Sequence, residues 1–147
     1  MDLRFEVEGV PELSRRLMIS ADGISDFRTP LRQSGDELLR SFQLNFSERG
    51  RLFGGWAPRK PRYKNGVRVD TWPLLEKSGR MRNSFEDTIT KNSVTLYNSA
   101  PYFAYHQSRM ARARLPRRVM MKIDEERKTF IVKAFQAYIL SVTRGQR

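Results

Sequence analysis

Hydrophobic and polar residues alternate at the start of the chain and recur at helical spacing farther on. Leu3, Phe5 and Val7 alternate with charged residues, which predicts a half-buried β-strand. A short helix is predicted over residues 11–21, and a long helix over residues 25–49. The long helix has one apolar face, formed by Leu31, Gly35, Leu38, Phe42 and Phe46. The glycine on that face predicts that another element packs closely against the helix.

A segment rich in glycine and proline, residues 50–73, follows the long helix and predicts irregular structure. Within it, Asn65-Gly66 lies between β-prone residues, which is a hairpin signal. We therefore interpret residues 50–73 as an extended loop or hairpin arm. The aromatic residues Trp56, Tyr63 and Trp72 are interleaved with bases there. Such residues can stack on unpaired nucleic-acid bases, but in this setting we interpret them as interface anchors.

Two strands and two further helices are predicted in the second half of the chain. Strands are expected over residues 85–90 and 94–98, joined by a tight turn. A short helix runs from Pro101 to about Gln107, and Asp124 is the expected N-cap of the last helix. The apolar face of the last helix consists of Phe130, Ile131, Ala134, Phe135, Tyr138 and Val142.

These elements predict an α+β fold in a single domain, residues 1–147. In this fold a small antiparallel sheet is packed by the long helix of the N-terminal half and by the C-terminal helix. One helical turn is also expected over residues 74–77. Gly79, with a positive φ, is expected to end that turn.

The net charge of +12 is unevenly distributed along the chain. Residues 1–48 hold nine acids and six bases, whereas residues 88–123 contain no Asp or Glu. This asymmetry favours a polyanionic partner or an acidic protein neighbour over a surface that is only solvated. The densest run of charge consists of Arg109, Arg112, Arg114, Arg117 and Arg118. We interpret these arginines as contacts to DNA or to an acidic partner, with plain solvation as the remaining alternative.

The sequence predicts no enzyme, no metal site and no cofactor site. The chain has no cysteine, and its single histidine, His106, cannot form a zinc site alone. A catalytic triad needs an acid beside its histidine, and no acid lies near His106 in the sequence. We interpret His106 and Gln107 as a buried hydrogen-bonding pair that fixes the turn after a short helix. Adjacent Glu86 and Asp87 on a strand point to opposite faces, so they do not converge on a ligand.

The amino-terminal residues and the hydropathy pattern predict neither a signal peptide nor a membrane span. The start of the chain lacks a basic segment followed by an apolar one. No apolar run in the sequence is long enough to cross a bilayer.

Several motifs occur in a fixed order along the chain. The first is Gly54-Gly55-Trp56-Ala57-Pro58. The second runs from Leu74 to Phe85 and contains Ser78-Gly79-Arg80-Met81-Arg82-Asn83-Ser84. The third and fourth are Tyr105-His106-Gln107 and Leu115-Pro116-Arg117-Arg118. In this order and spacing, the motifs resemble those of the virion morphogenesis (tail-completion) family of tailed bacteriophages.

The residues that carry the resemblance are Ser78, Gly79, Arg80, Arg82, Ser84, Tyr105, His106 and Gln107. The chain departs from the family pattern in two places. Ser108-Arg109 stands where family members often have Phe-Gly. Arg118-Val119-Met120 stands where Pro-Phe-Leu is usual.

The resemblance implies a structural virion protein that has no reaction to catalyse and needs no cofactor. It implies a tail-terminator-like role in tail completion and head–tail joining at the neck. The expected assembly is a homo-oligomeric ring, taken to be a hexamer, around the DNA channel. The expected partners are neighbouring neck or connector proteins, tail-tube proteins and double-stranded DNA bound without sequence specificity, with no membrane. The expected location is the virion, and the host cytoplasm during assembly.

A second function remains open at this point. The basic half of the chain could be the binding face of a nucleic-acid-binding module that does not assemble into a ring. Tight binding to duplex DNA with a steep salt dependence is expected of such a module.

Overall fold

The structure, a computed structural model, describes residues 2–6, 26–109 and 114–144, the first of these segments by its backbone alone. The helix predicted over residues 11–21, the position of Val7 and the position of Arg112 lie outside the described residues. The strands are β1 (Asp2–Glu6), β2 (Tyr63–Lys64), β3 (Val67–Arg68), β4 (Phe85–Ile89) and β5 (Ser93–Asn98). The helices are α1 (Arg28–Ser47), α2 (Arg80–Asn83), α3 (Phe103–Gln107) and α4 (Glu125–Arg144), with a 3₁₀ turn at Arg51–Phe53.

The strands form two small antiparallel sheets, which confirms the predicted α+β fold. One sheet has the strand order β1-β5-β4. Its register places Leu3 opposite Leu96 and Phe5 opposite Val94. The other sheet is the hairpin of β2 and β3, in which Tyr63 lies opposite Arg68.

Helix α1 confirms the periodicity read from the sequence. The Asp26 carboxylate accepts a hydrogen bond from the Arg28 backbone N–H at 3.0 Å, which satisfies a free donor of the first turn. The predicted face of the helix is buried from Leu31 to Phe46. A Cβ added at Gly35 would lie 3.3 Å from Cγ2 of Val94, which is the predicted close approach.

Contacts group the chain into two compact units. One unit contains residues 41–85 and 98–122, and its core is a cluster of aromatic rings. The rings of Phe42 and Phe85 lie 5.7 Å apart, and those of Phe85 and Phe103 lie 5.8 Å apart. All of the recognised sequence motifs fall within this unit, which we call the motif unit. The single domain expected over residues 1–147 stays a prediction.

The other unit comprises the described residues of 2–40, 86–97 and 123–147. Phe27 is fully buried there and stacks on Phe135 at 5.8 Å between ring centroids. The hydroxyl of Tyr138 donates a hydrogen bond to the Asp26 carbonyl at 2.8 Å. These contacts fix α4 against the residues that precede α1.

Helix α4 begins as the sequence predicts. Oδ1 of Asp124 accepts a hydrogen bond from the Arg127 backbone N–H at 3.0 Å, so Asp124 is the N-cap. The apolar face of α4 is less buried than expected, since most of its residues are half-buried and Phe130 is 41% exposed. The buried residue of α4 is Arg127, which pairs with Asp124 at 3.0 Å and Glu126 at 2.8 Å.

The predicted hairpin is present and its turn has the geometry that the sequence requires. Asn65 and Gly66 both have positive φ angles, 49° and 76°, which is the pattern of a two-residue I′ turn. All residues from 60 to 69 are exposed. The hairpin therefore presents its side chains to solvent along its whole length.

The helical turn predicted over residues 74–77 is wrong. The Glu76 N–H donates to the Pro73 carbonyl at 3.1 Å, and Leu75 has a φ of 64°, so a single tight turn forms instead. Gly79 has the predicted positive φ, 69°, but it precedes α2 and does not end a helix. The difference arises because the left-handed backbone of Leu75 folds the chain back on Pro73, so the residues after it cannot continue as a helix.

We expect Gly79→Val to lower the free energy of unfolding by about 1–2 kcal/mol, because a β-branched residue is strained at positive φ. Gly79→Asn is the matched control, since Asn tolerates this conformation better. Both are measured by urea unfolding monitored by circular dichroism. Equal stability of the Val variant and the wild type would contradict the backbone argument.

Candidate functional site

Gln107 ties the end of α3 to the chain that follows the arginine run. Its Oε1 accepts hydrogen bonds from the backbone N–H groups of Met120, at 2.8 Å, and Met121, at 3.1 Å. Its Nε2 donates to the Met121 carbonyl at 2.8 Å. Gln107 is buried, so these three bonds replace water at a side-chain amide and at three backbone groups. The amide does what the sequence analysis assigned to the His106-Gln107 pair.

His106 contributes to the same junction chiefly through its backbone, because its carbonyl accepts a hydrogen bond from the Arg118 N–H at 2.9 Å. The imidazole is half-buried, and its Nδ1 has no hydrogen-bond partner within the described part of the chain. Burial lowers the pKa of His106 below its ordinary value, and the charge of Arg118 lowers that pKa further. The side chain is therefore neutral at neutral pH.

Arg118 differs from the other arginines of its run because it is almost fully buried, with 5% of its surface exposed. Its Nε donates a hydrogen bond to the Ala57 carbonyl at 3.0 Å. Burial lowers the pKa of Arg118 below its ordinary value, and the neighbouring charge of Arg59 lowers that pKa further. An arginine nevertheless keeps its charge in a protein. Arg118 thus carries a recessed positive charge.

The remaining arginines of the run have more exposed positions. Arg109 and Arg114 are exposed, and Arg112 lies outside the described residues. Arg117 is also exposed, and its Nε donates to the Gln107 carbonyl at 3.3 Å. Contact of this run with DNA or with an acidic partner stays a prediction.

The three aromatic residues interpreted as interface anchors have different environments. Trp56 is half-buried, and its Nε1 donates to the Val119 carbonyl at 2.7 Å while its ring packs edge-on against Phe46 at 5.1 Å. Tyr63 is 63% exposed on the hairpin. Of these three, Tyr63 has a side chain that remains open to a partner, whereas Trp56 anchors the motif unit internally.

Trp72 lies between two cationic side chains. The guanidinium of Arg59 is 5.3 Å from the ring centroid of Trp72, and the ammonium of Lys77 is 4.9 Å from it. These distances are those of cation–π interactions. Arg59 also donates a hydrogen bond to the Trp72 carbonyl. The tryptophan ring therefore brings two positive charges close together.

A cavity of about 390 Å³ opens where these side chains meet. Its charged or titratable lining residues are Arg59, Lys77, Tyr102, His106 and Arg118, and its other walls include Trp72, Leu74 and Met81. We call it the basic cavity. Arg59 and Lys77 are not among the site residues predicted from the sequence. No local signal distinguishes Arg59, because it lies 13 residues before Trp72 and other bases stand between them.

The second sequence motif contributes Ser78 and Met81 to the lining of this cavity, and its other residues bond elsewhere in the motif unit. Arg82 donates to the Glu76 carboxylate at 2.8 Å and to the Ser47 hydroxyl at 3.0 Å. The Ser84 carbonyl accepts a hydrogen bond from the Ser99 N–H at 3.0 Å. The Ser78 hydroxyl accepts one from the Arg80 N–H at 3.4 Å. These motif residues form contacts within the motif unit, and Arg80 is exposed.

The Phage virion morphogenesis family model matches residues 6–139 of the chain. The chain belongs to this family. Its members are phage structural or assembly proteins and not a known class of enzyme, so the protein is a virion-associated one. No match to the chain was found among curated proteins or among solved structures.

Over residues 26–109 and 114–144, no three His, Asp or Glu side chains come together as a metal would require. In the same part of the chain, no helix is both long and apolar enough to cross a membrane.

Proposed function

We propose that this protein completes the phage tail and joins it to the head, as a subunit of a ring around the DNA channel and without catalysing a reaction. The observation that carries the proposal is the family match over residues 6–139. The structure supports it, because the matching motifs all lie in the motif unit, and Arg109, Arg114 and the hairpin are exposed. These exposed elements are available for contacts in an assembly.

Charge sets a condition on the proposed ring. Subunits with a net charge of +12 repel one another around a closed axis unless anions compensate them. The acids are concentrated in residues 1–48 and the bases in the rest of the chain. Head-to-tail contacts in a cyclic ring bring different surfaces of two copies together, so one copy can neutralise the next. DNA phosphates and acidic neck proteins are the other sources of compensation.

The proposal is tested with a phage in which the gene for this protein carries a nonsense mutation. Without the protein, electron microscopy of the lysate should show filled heads and separate tails, and the purified protein should restore joining in vitro. Joined, infectious particles formed in its absence would overturn the proposal. Tight duplex binding by the isolated protein, with a steep salt dependence and no effect on joining, would favour the nucleic-acid-binding module instead.

We expect the double variant Arg109→Gln/Arg114→Gln to fold normally and to yield at least about tenfold fewer infectious particles. Both side chains are exposed, so little folding stability depends on them. The control is Lys122→Gln/Lys133→Gln, which removes two exposed charges elsewhere. If tails still join but DNA is lost, the arginines face the channel, whereas failed joining places them against a protein. Equal titres for the two double variants would contradict the assignment.

A further inference from the structure

The basic cavity contains more positive charge than its surroundings neutralise. Three cations line it, namely Arg59, Lys77 and Arg118. The nearby Asp70 carboxylate pairs with Arg68 at 2.9 Å and lies 3.9 Å from Arg59. Of the described residues, none places a carboxylate within 4 Å of Lys77 or Arg118. The cavity is therefore short of negative charge.

The burial of Arg118 makes this shortage costly. A charged group that leaves water without an ionic partner loses hydration that one hydrogen bond does not replace. The Nε of Arg118 donates a hydrogen bond to the Ala57 carbonyl. No described residue accepts a hydrogen bond from either of its Nη groups. A guanidinium has five N–H donors in a fork that matches a carboxylate. Its unused donors are thus available to an anion that enters the cavity.

We propose that the basic cavity binds a carboxylate side chain of a partner protein, an Asp or Glu that is followed by an apolar residue. The apolar residue would lie against Leu74, Met81 and Tyr102, which line the same cavity. Duplex DNA fits less well, because its phosphates lie on a wide polar backbone and Arg118 is recessed. One subunit provides all the lining residues of the cavity, so binding of the carboxylate does not depend on the proposed ring.

His106 is a built-in reporter for this site. It lines the cavity and is the single histidine of the chain, so its imidazole signals need no sequence-specific assignment. Burial and the charge of Arg118 lower its pKa in the empty protein, and Arg59, Lys77 and Tyr102 are the other charged or titratable groups that line the cavity. A bound anion stabilises the imidazolium, so it should raise the pKa of His106.

The experiment follows the His106 imidazole signals by NMR as the pH is changed, with and without a small probe. The probe is the blocked dipeptide acetyl-Glu-Leu-amide, and acetyl-Gln-Leu-amide is its neutral control. We expect the acidic dipeptide to raise the pKa of His106 by at least about 0.5 unit at saturation and the neutral one to leave it unchanged. Inorganic phosphate and a short DNA duplex are tested in the same way.

A charge reversal locates the binding site. Lys77→Glu should weaken binding of the acidic dipeptide about tenfold, because an attraction at the cavity becomes a repulsion. Lys60→Glu makes the same change of charge on an exposed residue that does not line the cavity, and it should weaken binding by less than about twofold. Circular dichroism of both variants verifies that they are folded.

Three outcomes would overturn the proposal. The first is equal response to the acidic and the neutral dipeptide. The second is a shift of His106 caused by phosphate or duplex DNA but not by the acidic dipeptide, which would make the cavity a phosphate site. The third is equal weakening by Lys77→Glu and Lys60→Glu, which would reduce the effect to the overall charge of the protein.

Discussion

Gly50→Ala is expected to lower the free energy of unfolding by about 3 kcal/mol or more, the largest effect on stability that the structure predicts. Gly50 has a φ of 83°, and a Cβ at this position would lie 2.3 Å from Cγ and Cδ1 of the Trp56 ring. Real atoms do not approach so closely, so either the ring or the backbone must move. The ring is held by the hydrogen bond of Trp56 to Val119 and by Phe46.

Gly55→Ala is the matched control for this variant. Gly55 has a φ of 85°, almost the same as Gly50, but an added Cβ meets no atom within 4 Å. Its expected cost is therefore the backbone strain alone, about 1 kcal/mol. Urea unfolding of both variants separates the two contributions. Equal losses of stability in the two variants would mean that the Trp56 ring does not oppose a Cβ at residue 50. The backbone angle would then account for the whole effect.

Periodicity was sufficient to predict the elements with the strongest local signals. Helix α1 was predictable because residues at spacings of three and four, from Leu31 to Phe46, share one face. The hairpin was predictable because Asn65-Gly66 fits a turn that needs two positive φ angles. The N-cap at Asp124 was predictable because a short acceptor side chain precedes an amphipathic segment. Each of these signals is contained in neighbouring residues.

The basic cavity was not predictable, because its parts come from distant positions. The buried Arg118 bonds to the Ala57 carbonyl, which lies 61 residues away in the chain. A run of arginines looks uniform in the sequence, yet the fold buries Arg118 and leaves Arg114 exposed. The environments of Trp56 and Trp72 likewise depend on the residues that are their neighbours in space. Trp56 bonds to a backbone carbonyl, whereas the ring of Trp72 lies between two cations.

Hydrogen bonds join the segments that contain the third and fourth motifs. Gln107 closes α3, and the backbone that it binds follows directly after Leu115-Pro116-Arg117-Arg118. The Arg118 N–H also bonds to the His106 carbonyl. The amide therefore fixes the position at which the buried guanidinium enters the cavity. This gives a physical reason for a glutamine after the histidine, since its side chain is both donor and acceptor.

Gln107→Ala is expected to lower the free energy of unfolding by about 3 kcal/mol. The change removes three hydrogen bonds. The backbone N–H groups of Met120 and Met121 and the Met121 carbonyl then lose the buried partner that Gln107 provides. Each buried donor or acceptor that loses its partner costs about 1–3 kcal/mol. Water that enters the space and forms a replacement hydrogen bond reduces this cost.

The control is Gln33→Ala, on the exposed side of α1, which should change stability by less than about 0.5 kcal/mol. Chemical unfolding measures both variants. Amide hydrogen exchange adds a local test, because the Met120 and Met121 amides should lose protection in Gln107→Ala even where the rest of the motif unit stays protected. Unchanged protection at these two amides would show that the glutamine does not hold the segment. The junction between the two motifs would then rest on the Arg118 N–H bond to His106 and on the contacts of Trp56.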